Sequence, residues 1–329
     1  MAHMKRRDFI TLLGGAAAVW PLAARAQGAL PVVGVLGGTT RDEWTPFLAA
    51  LEFGLKDAGF IDRQNVAIED LWADGRYERL PALAAELVRR RVAVIVAIGG
   101  VASARAAKSA TSTVPIVFLV GRDPVELGFV GSYNRPGGNM TGVHLLNLEL
   151  AAKRLELLRE LVPNAATIAV LINPDNPNNR ASAENLEATA RAGGQRVIVL
   201  NANAARDFEP AFATLLQQRA QALIVAADPF LDGQRGQIVA MTTRYAIPAI
   251  FQWREFVEAG GLVSYGTSLT GAHRQQGLYA GKILNGANPA ELPVVQPTKF
   301  DLVINRKAAS ALGITIPPTL LVAADEVIE

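Results

Sequence analysis

Residues 80–100 read LPALAAELVRRRVAVIVAIGG, and residues 208–228 read FEPAFATLLQQRAQALIVAAD; the two stretches align without a gap at an offset of 128. In the first, Leu80, Leu83, Ala84, Leu87 and Val88 recur at the spacing of one helix face. Val92 to Ile98 is then an unbroken apolar run, the pattern of a strand covered by helices on both faces. Leu83 meets Ala211, Leu87 meets Leu215, Val88 meets Leu216, Arg91 meets Arg219 and Gly100 meets Asp228. Val94-Ile95-Val96 meets Ala222-Leu223-Ile224. Each copy runs on into a similar strand, Val114-Pro115-Ile116-Val117-Phe118 and Ile247-Pro248-Ala249-Ile250-Phe251. Either any two helix–strand units look this alike, or the chain holds two related lobes; the repeated Pro-containing strand favours the lobes.

Outward from this pair, strand and helix alternate. Strands are expected at 31–36, 66–72, 92–98, 115–120 and 139–143, with helices at 45–58, 78–90 and 102–110. The pattern then restarts, with helices at 148–161, 180–192, 207–218 and 233–245 and strands at 167–172, 196–201, 222–227, 247–251 and 262–265. Such alternation predicts an α/β protein of two doubly wound parallel-sheet lobes joined by a hinge. A helix at 270–285 should return to lobe one, and a last strand at 300–304 and helix at 306–313 should close lobe two. The first lobe is thus expected to span 27–142 plus about 267–290, and the second 143–266 plus about 291–329. Thr141, Gly142 and Gly266 stand at the expected crossings as hinge residues.

The chain has 329 residues, half of them apolar, enough for two domains with sizeable cores. It has no cysteine, which excludes disulfides, a thiolate nucleophile and a cysteine-bound zinc, and its three histidines argue against a histidine-rich metal site. No cofactor or metal is expected. Lys5-Arg6-Arg7, a short apolar run from Leu12 to Trp20 and Ala24-Arg25-Ala26 read as an export signal of twin-arginine type over residues 1–26, cleaved after Ala26. Its apolar run is too short to span a bilayer. The leader carries four of the 32 basic and one of the 30 acidic residues, so the remainder holds 28 and 29 and is nearly neutral. A neutral exported chain has no field to draw nucleic acid or an anionic membrane. The mature protein is expected to be periplasmic, not lipid-anchored and not inserted in the membrane.

Several phrases occur together: Asp123-Pro124-Val125-Glu126-Leu127-Gly128, Arg135-Pro136-Gly137-Gly138-Asn139-Met140-Thr141-Gly142, Lys153-Arg154-Leu155-Glu156-Leu157-Leu158, Arg254-Glu255-Phe256-Val257-Glu258-Ala259-Gly260-Gly261 and Leu312-Gly313-Ile314-Thr315-Ile316-Pro317-Pro318. In these the chain resembles the bacterial ABC-transporter substrate-binding proteins whose better-known members take up tryptophan and tyrosine. The resemblance covers essentially all of the mature chain. It implies the type I periplasmic-binding-protein fold and a monomer without enzymatic activity. The implied task is to clamp a small molecule, an amino acid (aromatic or not) or related carboxylate, between the lobes and hand it to a membrane permease.

Ligands of open parallel sheets sit beyond the carboxyl ends of the strands, so five loops matter. Gly38 and Thr39 offer backbone approach and a hydroxyl. Gly100 and Ser103 open a helix whose free N–H groups suit a carboxylate, or Gly99-Gly100 is simply a tight turn. Asp123 either meets the ligand or caps the helix after it. Asn173 is the ligand candidate of the fourth loop, where Asp175 and Asn176 fit turn or cap roles. Asp228 is either an N-cap or, as the resemblance implies, the partner of an α-ammonium. Trp44, Phe230 and Trp253 either stack on a flat ligand or belong to the core, and Arg254 and Glu255 are expected to pair with each other.

Rival functions lack their signatures. There is no Gly-x-Ser-x-Gly elbow, His-Glu-x-x-His or P-loop for a periplasmic enzyme, and His144 and His273 have no nucleophile beside them in sequence. A transcriptional regulator would need a DNA-binding headpiece where the export signal stands. A ligand-binding protein feeding a sensor kinase is the alternative to the importer.

Overall fold

The structure, a computed structural model, describes residues 30–329; the expected signal at 1–26 lies outside them. Strands β1 (Val32–Gly37), β2 (Ala67–Trp72), β3 (Val94–Ala97), β4 (Ile116–Val120) and β5 (Met140–His144) form one parallel sheet in the order β2-β1-β3-β4-β5. Helices α1 (Thr45–Asp57), α2 (Leu80–Arg89) and α3 (Gly100–Ala110) connect them.

The second sheet takes β6 (Thr167–Ile172), β7 (Arg196–Asn201), β8 (Ala222–Val225), β9 (Ala249–Phe251), β10 (Val263–Gly266), β11 (Asp301–Asn305) and β12 (Glu326–Ile328). Its order is β12-β11-β10-β9-β8-β6-β7. The helices between and after these strands are α4 (Asn147–Leu161), α5 (Pro177–Ala192), α6 (Phe208–Gln217), α7 (Pro229–Gly233), α8 (Arg235–Arg244), α9 (Arg254–Glu258), α10 (Leu269–Leu284), α11 (Arg306–Ala311) and α12 (Pro318–Ala323).

The two units that opened the sequence reading are structural equivalents. α2 and α6, and β3 and β8, begin and end 128 residues apart. Between helix and strand, Arg91 and Arg219 both turn the chain in the left-handed region, at φ 57° and 53°. Leu87 and Leu215, at matched positions, are fully buried under their sheets; removing each from water is worth about 2–3 kcal/mol.

Helix α10 belongs to the first lobe although it follows most of the second. Gly54 and Gly277 make this possible: a Cβ on either would lie 1.9 Å from a backbone oxygen, of Arg274 and Leu51 respectively, so α1 and α10 meet backbone to backbone. The Arg274–Asp57 ion pair (2.7 Å) ties the outer side of this contact. On the inner side, the buried Gln276 amide donates to the Ala97 and Val117 carbonyls at 3.2 Å each.

Two readings are corrected. The second sheet is not wholly parallel, because β11 runs antiparallel to β10. The helix expected at 233–245 is present as α8, with the short α7 preceding it. Arg254 pairs with Glu258 and with Glu326 of β12, not with Glu255. Helix α12 and strand β12 had no counterpart in the sequence reading.

The chain crosses between lobes three times. The first crossing follows β5 through Leu145 and Leu146, the latter at φ 57°. The second leaves Gly266 for Ser268, whose hydroxyl accepts from Gly271 N (2.9 Å) to cap α10. The third follows Val295, which stays beside β5: His144 N donates to Val295 O and Val295 N to Gly142 O, each at 2.9 Å. The segment expected to enter lobe two at about 291 therefore remains with the first sheet through Val295. Thr141 and Gly142 lie inside β5 rather than at a crossing. Thr141 donates to Leu292 O (2.7 Å), and a Cβ at residue 142 would meet Phe118 O at 2.1 Å. Gly266 is the expected hinge residue that does end at a crossing.

Candidate functional site

The carboxyl ends of both sheets face one another across a cleft with an empty volume of about 910 Å³, mouth included. Its first-lobe wall is apolar and carries little charge: Trp44, Ile98, Gly100, Val101 and Leu119, with Arg122 beside them. The second lobe supplies Arg154 from α4, Asn176 and Asn179 at the start of α5, Asp228 and Asp232 around α7, and Trp253 before α9. Leu148, Ala151, Leu186, Ile224 and Ala226 extend the apolar lining between α4, α5 and β8.

Asp228 follows β8 and begins α7. Its Oδ1 accepts from Phe230 N (2.9 Å), Leu231 N (3.2 Å) and Asn173 Nδ2 (3.2 Å), and its Oδ2 from Asn176 Nδ2 (2.8 Å) and the Tyr77 hydroxyl of the other lobe (3.4 Å). It is therefore an N-cap and a bond across the cleft at once. Burial raises its carboxyl despite the four nearest donors, which act to lower it. The Tyr77 hydroxyl is raised in turn by burial and by Asp228. One turn along, Asp232 is pushed well above the usual carboxylate range by burial and by the neighbouring Asp228. Its Oδ1 accepts from the buried Gln252 amide.

Arg154 is buried, and among the described residues no carboxylate lies within 4 Å of it. Its Nε donates to Tyr265 O at 2.7 Å, while the terminal nitrogens reach only Asn147 O (3.4 Å) and Asn147 Oδ1 (3.5 Å). Burial pulls the guanidinium down to about 10, with Asp232 opposing. The indole N–H groups of Trp44 and Trp253 are likewise buried without a hydrogen-bond partner among the described residues. The cleft thus holds unspent donors and one sparsely bonded carboxylate, a set suited to a small polar ligand with an apolar body.

Two further bonds join the lobes. Gln234 Nε2 donates to Glu43 Oε1 at 2.5 Å and the Thr270 hydroxyl to Glu255 Oε1 at 3.3 Å. Gly233 leaves room for Glu43, whose carboxyl carbon would lie 2.8 Å from a Cβ there. These bonds describe a closed arrangement.

Of the expected site residues, Gly100, Asp228 and Trp253 line the cleft, as does Trp44. The others do not. Gly38 packs against Tyr77 and Gly99, and Thr39 and Ser103 are buried below the surface, their hydroxyls without a hydrogen-bond partner among the described residues. Asn173 is committed to Asp228 and to Asp175 N. Asp123 accepts from Val125 N (2.7 Å) and caps a turn, with no helix after it. Phe230 stacks on Phe208 at 5.9 Å in the core. Arg154 and Asp232 were missed. Arg154 has a sequence signal, a cation on the apolar stripe of Leu150, Ala151, Leu155 and Leu158.

The profile of the ABC transporter substrate binding protein family matches residues 43–328. A tyrosine-binding protein of Clostridioides difficile is 27% identical over 267 residues, 81% of this chain and 75% of that protein. Among solved structures, an ABC domain in complex with L-Trp from Streptococcus pneumonia is 27% identical with a TM-score of 0.79, over 91% of this chain and 100% of that one. The ligand-free, open structure of a substrate-binding protein with adhesive properties from Clostridium difficile is 24% identical with a TM-score of 0.62, over 91% and 99%.

Proposed function

This chain belongs to the family of ABC transporter substrate-binding proteins, which bind ligands and do not transform them, and on that premise we propose that it is the periplasmic, monomeric solute-binding component of an importer. It clamps an amino acid between its lobes and delivers it to a membrane permease. The observation that carries this reading is the cleft itself, enclosed between two lobes that the chain crosses three times and lined by polar groups with hydrogen bonds to spare. Relatives that bind tyrosine and tryptophan support an amino acid as the cargo. The absence of a helix long and apolar enough to cross a membrane, among the described residues, is compatible with a separate permease. Closure is a population shift: a ligand that touches both lobes favours the closed form by its differential affinity.

A thermal-shift screen of the twenty amino acids, aromatic acids, sugars and nucleosides tests the reading. A cognate amino acid at 100 times its dissociation constant should stabilise the protein by about 2.7 kcal/mol, a rise of a few degrees in Tm. A shift by sugars or nucleosides with none by amino acids would overturn it.

A further inference from the structure

We infer that Arg154 and Asp232, both on the second lobe, read the two charges of a zwitterionic ligand, Arg154 taking the carboxylate and Asp232 the ammonium, while Asp228 is a strut between the lobes. This rests on the reading above that the cleft takes an amino acid.

Asp228 has already spent its acceptors on the fold. An ionised carboxylate has about four lone-pair sites. Asp228 meets five donors, three on Oδ1 and two on Oδ2, and one of them comes from the opposite lobe. An ammonium arriving there would have to displace a bond the fold already uses. Asp232 is different. It lines the same cleft, and its Oδ1 accepts from the Gln252 amide while the Trp253 indole N–H beside it also acts on the carboxyl, so fewer donors hold it than the five on Asp228 and acceptor capacity is left for a ligand. The Gln252 bond also orients the carboxylate, because Gln252 is itself fully buried.

Arg154 completes the pair. A buried guanidinium without a counter-ion is costly, and its planar fork matches a carboxylate with two parallel bonds. The one short bond it makes is through Nε to Tyr265 O, which fixes the plane and leaves the terminal nitrogens with contacts no shorter than 3.4 Å. Gly266 stands beside that end; a Cβ there would lie 3.5 Å from a terminal nitrogen. Arg154 and Asp232 influence one another electrostatically yet form no ion pair within 4 Å. An α-amino acid, whose ammonium and carboxylate share one carbon, is the ligand class that bridges such a pair. A simple carboxylate would satisfy Arg154 but strand Asp232, and a simple amine would do the reverse.

The test is calorimetric binding of L-tyrosine, tyramine and 3-(4-hydroxyphenyl)propionate to the wild-type protein and to Asp232→Asn, Asp228→Asn and Arg154→Met. Tyrosine should bind the wild type at least tenfold more tightly than either analogue. Asp232→Asn should weaken tyrosine at least tenfold and leave the propionate unchanged or tighter; Arg154→Met should weaken tyrosine and spare tyramine. Arg154 also bonds the Tyr265 backbone, so where its variant fails to fold, the Asp232→Asn series alone decides. Tyrosine affinity within twofold of wild type in Asp232→Asn would overturn the pair while leaving the amino-acid reading in place. So would a drop caused by Asp228→Asn alone. A wild-type protein that binds none of the twenty amino acids would overturn both together.

Discussion

The two lobes share a framework and divide the work at one position. Gly100 and Asp228 are equivalents, each three residues past the end of the matched strands β3 and β8. In lobe one the loop is drawn in so tightly that a Cβ on Gly99 would lie 2.0 Å from Ser103 Oγ and 2.6 Å from Gly38 N. That lobe presents backbone and apolar wall. In lobe two the loop carries a buried carboxylate, and a second one a turn later. The apolar periodicity that builds a lobe is indifferent to these choices, so the same scaffold can be an inert wall on one side and a charged grip on the other.

The contrast extends to protons. Two buried histidines belong to the first lobe, His144 on β5, which burial also lowers, and His273 behind its wall, whose ring meets Trp44 edge-on at 5.1 Å; the second is the more strongly shifted. Burial holds His273 down to about 4. An unfolded histidine titrates near 6.5, so the unfolded chain binds the proton first. Stability from this group is present above pH 6.5 and is lost as pH falls towards 4, by about 3 kcal/mol. The raised carboxyls of Asp228 and Asp232 have the opposite sign: they favour the folded state at low pH, and that contribution is lost as pH rises through their folded values. Hydrogen exchange followed lobe by lobe between pH 7.5 and 4 should show lobe one weakening first on acidification. In His273→Leu that lobe's dependence should flatten; an unchanged slope would remove His273 from the account.

A smaller effect is expected from giving lobe two the residue of lobe one. Asp228→Gly strands the amides of Asn173 and Asn176 and the N–H of Phe230, at a cost of about 2 kcal/mol, read as a lower urea midpoint. A midpoint that does not move would mean the carboxylate is not structural. The smallest effect belongs to Tyr77→Phe, which removes a 3.4 Å bond between the lobes. Less than about 1 kcal/mol of closure is at stake. The ligand-free protein should be more open by small-angle scattering, with its melting point nearly unchanged; identical scattering from both proteins would argue that Tyr77 has no part in closure.

Much of the framework was readable from apolar spacing, because α2–β3 and α6–β8 repeat the same burial pattern. Strand direction was not: an isolated run such as Asp301–Asn305 looks the same either way, and β11 is set antiparallel by where the chain returns. Short β12, with Glu326 at its exposed edge, has no apolar run to detect. The strand-end loops were placed correctly, but which side chains reach the ligand depends on rotamer and packing. Ser103 and Asn173 turn inward, whereas Arg154 and Asp232 sit on helices and reach the cleft from outside the loops that the strand pattern singles out.

The close contact of α1 with α10 also has a consequence for how the polypeptide is made. Residues 30–144 contain every strand of the first sheet, yet the helix that covers their Leu51 and Leu55 face arrives only with residues 269–284. The second sheet in turn waits for Asp301–Asn305 and Glu326–Ile328. The first core therefore cannot close before residues 269–284 have been made, nor the second before residues 301–328, so each waits on sequence laid down after most of its own strands.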